Sequence, residues 1–402
     1  MSAVDFGELR ARFHLPDGKV YLDGNSLGVL PRHTETRLQE VISTEWADEL
    51  VSGWNTKQWI DLPLRVGDQI APIIGASPGT VVCCDSLSIN LFKALIACLE
   101  VNEGRSLITL EDGQFPTDSY IADGLSQLLG TDRCRTQAVD IAALTPDILS
   151  DSAVLLLSHV DYKSGALRDM SAITQMAQSV GCLVIWDLAH SAGVIDMDLE
   201  ASQVDFAVGC TYKFLNGGPG APGFLYVAER HQKAQNPLPG WMGHARLFDF
   251  EAKYEAAPGI KRFLTGTQSV LALSAVSASL SVFEGLTMQD IRTRSLALTG
   301  HFITRWEQSS VLQSHAALVT PVDDAQRGSQ VSLALDHAFP VSQALIADGV
   351  IVDFREPNII RFGFSPLYNT FSDSEQAIQS LEAVLASERY RLPQFQIRST
   401  VT

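Results

Sequence analysis

Apolar strand-like runs alternate with helical segments between residues 71 and 227, and this alternation constrains the fold more than any other feature. The strand-like runs are residues 80–84, 106–110, 153–158, 183–187, 206–210 and 223–227. The helical segments between them include residues 88–100, 117–129 and 171–180. Such alternation predicts an α/β fold in which helices cover both faces of a mainly parallel sheet. Ligands of such sheets bind beyond the carboxyl ends of the strands.

The pattern changes after residue 269, where long helices come before the next strands. Residues 269–283 and 288–308 are helical, residues 330–335 and 358–364 are strand-like, and residues 373–386 form a last helix. This order predicts a smaller α+β domain behind the α/β unit. We therefore expect an N-terminal arm over residues 1–60 that packs with the small domain. We expect the large domain to span residues 61–275 and the small domain residues 276–402.

The charge and composition of the chain exclude several classes of partner. Hydrophobic residues make up 46% of the 402 residues and charged residues 19%, which is typical of an ordered globular protein. The formal net charge of −17 argues against nucleic acid or an anionic membrane as a partner. We find neither a basic start followed by an apolar core nor an apolar run of bilayer length, so we expect a cytoplasmic protein.

The cysteines do not form a metal or disulfide pattern. They are Cys83, Cys84, Cys98, Cys134, Cys182 and Cys210, mostly within apolar runs and without paired spacing. This arrangement predicts buried, reduced thiols, and we predict no metal site.

A lysine and an acid stand at the ends of two apolar strands. Lys213 follows the run 206–210 and precedes a loop dense in Gly and Pro, while Asp187 ends the run 183–187. Taken alone, Lys213 would be a solvated surface residue and Asp187 a helix N-cap. Together they suit a pyridoxal phosphate enzyme, in which the lysine forms a Schiff base and the acid keeps the pyridine nitrogen protonated.

Two further segments follow strands and suit a flat, phosphorylated ligand. Residues 85–93 open a helix directly after a strand, where free backbone N–H groups and hydroxyls bind phosphate; plain N-capping is the alternative. In residues 114–118, Phe115 is placed to stack on a ring and Asp118 to reach its edge. The alternative there is a turn followed by a helix that has proline at its first position.

Three isolated residues have a functional and a structural interpretation. His190, three residues after Asp187, is either near the ligand or structural. Trp241 lies between glycines, as a ligand contact or a core anchor. Arg361 ends an apolar run; arginine is a bidentate receptor for carboxylates, and a surface ion pair is the alternative.

With these motifs the chain resembles the kynureninases, which are fold-type I pyridoxal phosphate enzymes of the aminotransferase class V superfamily. The segments that carry the resemblance run along most of the chain. They are residues 22–28, 52–54, 85–93, 115–118, 186–193, 210–223, 240–244, and Arg361 with residues 366–369.

The resemblance implies a role for each matching residue. Lys213 would bind pyridoxal 5'-phosphate covalently, Asp187 would hold the pyridine nitrogen, and Tyr212 would shuttle a proton or stabilise an oxyanion; these are the catalytic residues. The cofactor-binding residues would be Leu87, Ser88, Phe115, Pro116, Thr117, Asp118, Ser158, Asp187, His190, Tyr212, Lys213, Trp241 and Thr267. Of these, Thr267 would reach the phosphate from the second subunit of a homodimer whose active sites lie at the subunit interface.

The implied substrate is L-kynurenine. Arg361 would receive its α-carboxylate, and Asn25, Ser26 and Trp54 would line the aromatic end of the pocket. Trp54 and Met242 lie at positions that vary within the family, so the preference between kynurenine and 3-hydroxykynurenine stays open.

The implied reaction is hydrolysis of the Cβ–Cγ bond. It yields anthranilate, or 3-hydroxyanthranilate, and L-alanine, as a step of tryptophan catabolism in the kynurenine pathway, which also serves NAD biosynthesis.

Other interpretations are weaker. A cysteine desulfurase or selenocysteine lyase needs a thiolate on a mobile loop, but residues 321–330 contain no cysteine and none follows Cys210. An aminotransferase would leave the motif at residues 23–26 unexplained. A catalytically inactive protein that binds pyridoxal phosphate is a third alternative, and the intact Lys213, Asp187, Tyr212 and Arg361 argue against it.

Overall fold

The computed structural model describes residues 4–398 and contains a large, mainly parallel sheet. In chain order the strands are β1 Val20–Tyr21, β2 Val81–Cys83, β3 Leu107–Glu111, β4 Arg135–Val139, β5 Ser152–Ser158, β6 Leu183–Asp187, β7 Phe206–Cys210, β8 Gly223–Val227, β9 Ala316–Leu318, β10 Gln330–Leu335, β11 Val350–Ile351, β12 Asp353–Arg355 and β13 Ile359–Gly363.

The helices connect and cover these strands. They are α1 Phe6–Arg10, α2 Arg32–Glu40, α3 Gly53–Thr56, α4 Leu62–Ile70, α5 Leu87–Val101, α6 Pro116–Leu129, α7 Pro146–Leu149, α8 Met170–Ser179, α9 Val270–Leu280, α10 Met288–Gln308, α11 Ser310–His315, α12 Ala338–Ala347 and α13 Phe371–Ala386. A π-helical segment, Val41–Trp46, continues α2.

The large sheet has seven strands in the order β2-β8-β7-β6-β5-β3-β4. Strands β4, β3, β5, β6 and β7 run parallel, and β8 is antiparallel to both β7 and β2. The predicted α/β fold is therefore confirmed.

The central strands are apolar because both of their faces are buried. Along β6, Ile185 packs in one core cluster and Val184 and Trp186 in another, as expected where side chains alternate between faces. Helices α5 and α6 contribute to the first cluster, whereas α4, α8 and α9 contribute to the second. Covering both faces in this way leaves the carboxyl ends of the strands as the place for a ligand.

A second sheet follows in the C-terminal part. Its four strands are antiparallel in the order β12-β13-β10-β9 and share a core with α10, α12 and α13. The N-terminal segment joins this part through β1, which pairs in parallel with β11. The domain boundaries after residues 60 and 275 stay a prediction.

All six cysteines are free and buried, as predicted. Within residues 4–398 no single helix is long and apolar enough to cross a membrane; α9 with the turn after it and α10 pass such a test only as a pair bent by 81°.

Candidate active site

A cavity opens where strands β5, β6 and β7 end. Ser158 and Asp187 are the last residues of β5 and β6, and Lys213 follows β7 by three residues. The cavity is lined by Leu87, Ser88, Phe115, Thr117, Ser158, Val160, Tyr162, Asp187, Ala189, His190, Tyr212 and Lys213. Nine of these twelve residues belong to the site predicted from the sequence, so the structure brings that set together.

Lys213 and His190 form the centre of the cavity. The Lys213 Nζ lies 3.0 Å from the His190 Nε2. The ring centroids of Phe115 and Tyr212 each lie 6.0 Å from the same Nζ. Burial, followed by the positive charge of Lys213, lowers the pKa of His190 well below its ordinary value. A neutral imidazole therefore accepts a hydrogen bond from the lysine.

Asp187 and Asp118 are two buried carboxylates beside this centre. One oxygen of Asp187, Oδ1, accepts the Ala189 N–H at 2.8 Å. Asp118 is fully buried, and neither of its oxygens has a partner among the described residues. Burial raises the pKa of Asp187, and burial together with the charge of Asp187 raises that of Asp118 well above its ordinary value. A buried acid pair of this kind suits a ligand that carries a proton or a positive charge.

The N-terminus of α5 forms the opposite wall. Ser86 caps the helix by accepting the Ile89 N–H, which leaves the first N–H groups, on Leu87 and Ser88, beyond the reach of any helical carbonyl. Gly223 allows the chain to approach closely here, since a Cβ at this position would lie 2.7 Å from the Leu87 nitrogen. Free N–H groups at the start of a fifteen-residue helix suit an anion.

Buried Lys93 holds this wall in place. Its Nζ donates to Asp85 Oδ2 at 2.6 Å and to the Phe263 carbonyl at 2.7 Å. Asp85 has a positive φ of 48°, which turns the chain sharply from β2 into α5. The ion pair therefore stabilises the turn that presents the helix N-terminus to the cavity.

Tyr212 is half-buried and remains protonated. The neighbouring Cys210 and burial both raise the pKa of Tyr212. Its hydroxyl is consequently a hydrogen-bond donor throughout the neutral range.

Arg361 is buried rather than part of a surface ion pair, so that alternative is wrong. Only 1% of its surface is exposed, and its guanidinium forms two hydrogen bonds to Asp353, one of them from Nε at 2.7 Å. It also donates to the Tyr162 carbonyl at 2.6 Å and to Ser26 Oγ at 3.1 Å. Tyr162 lines the cavity, and Arg361 is linked to the cavity through it.

Besides Asp118, Ser26 and Arg361, which are described above, five predicted site residues do not line the cavity of the described chain. Asn25 is buried and donates to Gln330 Oε1 at 3.3 Å; Trp54 packs edge-on against Trp59 at 5.7 Å. The other three are Pro116 at the start of α6, Trp241 with 37% of its surface exposed, and Thr267, which is exposed. Their assigned roles stay predictions.

Sequence reasoning missed Val160, Tyr162, Ala189 and Asp353. The first two follow β5 and Ala189 follows β6, so their position past the strand ends was the available signal. Asp353 lies on the short strand β12, whose three residues gave no recognisable pattern.

Comparison with known proteins shows which family the chain resembles in sequence. The family model that matches is the kynureninase C-terminal domain, over residues 291–381. A kynureninase of Burkholderia pseudomallei (strain 1106a) is 47% identical over 400 residues, which cover 98% of this chain and 96% of that protein. The chain belongs to the kynureninase family. A kynureninase of Pseudomonas fluorescens is 45% identical over 399 residues, with the same coverage of both chains.

The fold is shared beyond the kynureninase family. The apo structure of a cysteine desulfurase from Thermococcus onnurineus NA1 superposes with a TM-score of 0.81 over 96% of this chain and 100% of that chain. Sequence identity there is 16%, so the similarity concerns the fold alone. Within the kynureninase family, the matched C-terminal domain contains β12 and β13 and hence both Asp353 and Arg361.

Proposed function

We propose that this member of the kynureninase family hydrolyses L-kynurenine to anthranilate and L-alanine, with pyridoxal 5'-phosphate bound in the cavity around Lys213. The observation that carries the proposal is the near-complete match to named kynureninases, with Lys213 and Asp187 together at the strand ends. The same chemistry on 3-hydroxykynurenine is the second substrate to be measured.

The cavity residues fit this cofactor. The Asp118 carboxylate, which has no partner among residues 4–398, and the neighbouring Asp187 suit a protonated pyridine nitrogen. The N–H groups at the start of α5 and the Ser88 hydroxyl suit the phosphate. Phe115 and Ala189 also line the cavity, and their side chains suit a flat ring.

Lys213 and His190 are the residues that would act at the substrate Cα. Bound pyridoxal phosphate supplies a carbonyl carbon for an amine and a ring that withdraws electrons from the substrate. Lys213 would hold the cofactor, and once the substrate amine had taken its place there, the Lys213 Nζ would accept the proton from Cα. His190, neutral and 3.0 Å away, accepts a hydrogen bond from this nitrogen and orients it.

Two further groups act on the substrate, Tyr212 at Cγ and Arg361 at the α-carboxylate. The Tyr212 hydroxyl donates a hydrogen bond to the oxygen on Cγ as water adds to that carbonyl, which stabilises the developing negative charge. Arg361 holds the α-carboxylate, and this fixes Cβ and Cγ relative to Tyr212.

We further propose a cytoplasmic homodimer. Exposed apolar side chains at and beside the π-helical segment, namely Ile42, Trp46, Leu50 and Val51, support a subunit contact. Thr267 and Trp241 lie on the surface of one chain, where they are free to complete a site in a second copy. Six unpaired thiols suit a reducing compartment.

The test uses the full-length protein loaded with pyridoxal phosphate. With L-kynurenine we expect anthranilate, followed by its fluorescence, and L-alanine in equal amounts. L-cysteine serves as the matched substrate for the desulfurase alternative, and we expect no alanine from it. Release of alanine and sulfur from L-cysteine without cleavage of L-kynurenine would overturn the proposal.

A further inference from the structure

The guanidinium of Arg361 has almost no free donors. Nε and one terminal nitrogen bind Asp353, the same terminal nitrogen also binds Ser26, and the other binds the Tyr162 carbonyl. A guanidinium has five N–H donors, so four have partners in the described structure. Nε and one terminal nitrogen, the pair of donors that would bind both oxygens of a carboxylate, already bind Asp353. A substrate carboxylate therefore cannot take the usual bidentate place on Arg361.

Arg355 and Arg361 both pair with the carboxylate of Asp353. Asp353 Oδ2, which binds Arg361, also lies 2.8 Å from the second terminal nitrogen of Arg355. The β12–β13 register sets Asp353 opposite Arg361, and Arg355 follows Asp353 by two residues on the same face. Both arginines thus project from one face of the small sheet.

Arg355 keeps donors that the fold does not use. Its first terminal nitrogen donates to the Phe354 carbonyl at 2.9 Å, while its Nε is buried and has no partner among the described residues. Burying such a donor costs free energy unless it meets an acceptor. A bound carboxylate would supply that acceptor.

Both arginines lie close enough to the reactive centre to influence its charge. Arg361 reaches it through Tyr162, which lines the cavity. After burial and Lys213, the positive charges of Arg361 and Arg355 are the next causes that lower the pKa of His190. His190 lies 3.0 Å from the Lys213 Nζ, so both guanidinium groups lie within electrostatic reach of the reacting nitrogen.

We propose that Arg355 and Arg361 together receive the α-carboxylate of the substrate, one oxygen each, and that Asp353 is the positioning residue that holds them side by side. This inference rests on the proposed function, since it concerns the substrate of that reaction. Arg355 is then a substrate-binding residue. Asp353 binds the pair of Arg361 donors that a substrate carboxylate would otherwise bind.

The experiment compares Arg355→Met with Arg361→Met in the full-length, cofactor-loaded protein. Arg389→Met is the matched control, because Arg389 pairs with Asp348 on the outside of the small domain. We measure kcat and KM for L-kynurenine and the Kd of L-alanine from the cofactor absorbance. We expect Arg355→Met to raise KM and Kd by about 10- to 100-fold with kcat within about threefold, and Arg389→Met to change neither.

Two further measurements separate binding from folding. Inhibition by 2-aminoacetophenone, which keeps the aryl ketone and lacks the α-carboxylate, should be the same in Arg355→Met and in the unchanged protein. Asp353→Asn should also raise KM more than it lowers kcat, because the two guanidinium groups lose their common anchor. Arg355→Lys, which keeps the charge and loses the fork, should give an intermediate KM.

The outcomes decide between the alternatives. An unchanged KM and an unchanged Kd for L-alanine in Arg355→Met overturn the proposal, even where Arg361→Met raises both. Should Arg355→Met fail to fold by circular dichroism, Arg355→Lys decides, and an unchanged KM there overturns it equally. Failure of the proposed function looks different, because the unchanged protein would then form no anthranilate.

Discussion

At the scale of single residues, the two buried acids beside Lys213 determine what the cavity accepts. Lys213 and Asp187 were predictable from the sequence because each comes at the end of an apolar strand. The sequence did not show that Asp118 lacks any hydrogen-bond partner within residues 4–398. That depends on where the fold places the start of α6 relative to Asp187, and a linear sequence pattern does not contain this information.

Replacing Asp187 by asparagine tests the acid's role. Asp187→Asn keeps the size of the side chain and its acceptor for the Ala189 N–H. It removes the charge that, in the proposed function, would hold a proton on the cofactor ring. We expect kcat for L-kynurenine to fall by about 100-fold or more, measured as anthranilate release. The exposed Asp132→Asn is the control, and an Asp187→Asn variant with the same kcat as that control would contradict the role.

The pH dependence of substrate binding tests the charge balance around Arg361. Burial and the charge of Asp353 raise the pKa of Asp23 to about 7, against the opposing effects of Ser26 and the two arginines. The charged and titratable groups around it are Asp353, Arg355, Arg361, Tyr21 and Tyr368. Below pH 7 Asp23 is protonated and neutral, which leaves the cluster with more positive charge.

An anionic carboxylate therefore binds better on the acid side of this transition. We expect KM for L-kynurenine to rise as the pH increases through about 7, and Asp23→Asn to remove that part of the dependence. Steady-state kinetics between pH 6 and 9 provide the measurement. Identical pH profiles for both proteins would contradict the account.

At the scale of elements, sequence patterns predicted the buried strands of the large sheet well and its exposed strand poorly. Strands β6, β7 and β8 begin and end where their apolar runs do. Strand β4 was not predicted, because it lies at the edge of the sheet with no residue fully buried. Helix α2 ends at Glu40, and the chain continues as the π-helical segment Val41–Trp46.

This π-helical segment positions the predicted substrate contact Trp54. It buries Glu45, which accepts the Trp59 Nε1–H at 3.1 Å and pairs with Arg37 at 2.6 Å. Trp59 in turn packs edge-on against Trp54 and leaves no room for a side chain at Gly53. Glu45 thus fixes Trp54 through one intervening ring.

Removing this acid should loosen the whole segment. We expect Glu45→Ala to lower the free energy of unfolding by about 2–4 kcal/mol, because an indole N–H and part of a cation are left without a partner. Glu45→Gln retains an acceptor oxygen and should cost about 1 kcal/mol. Urea denaturation followed by tryptophan fluorescence measures both. Equal stability of the alanine and glutamine variants would show that the Trp59 contact contributes nothing.

At the scale of the whole molecule, the fold follows from the alternation of strands and helices, but the completed site does not. Trp241, Thr267 and Trp54 lie outside the cavity of a single chain, whereas Lys213, Asp187 and Ser158 lie within it. A sequence pattern specifies which residues end a strand, and it carries no information about how two copies meet. The second subunit is therefore a proposal from the exposed surface and the family resemblance.

Measuring the mass in solution tests that proposal. We expect light scattering to give twice the chain mass of 43.7 kDa. Trp46→Glu with Val51→Glu, both on exposed apolar residues, should yield monomers and reduce turnover, since a buried charge opposes association. A double variant that stays dimeric would place the contact elsewhere, and a monomeric unchanged protein with full activity would contradict the shared site.

The central claim is that carbon–carbon hydrolysis of L-kynurenine takes place at Lys213, and one comparison tests it most directly. Lys213→Ala and the exposed Lys233→Ala are each incubated with pyridoxal phosphate and L-kynurenine, and anthranilate fluorescence is recorded. We predict that Lys233→Ala matches the unchanged protein, while Lys213→Ala loses the visible absorbance of the bound cofactor and forms no measurable anthranilate. Near-normal anthranilate formation by Lys213→Ala would contradict the account.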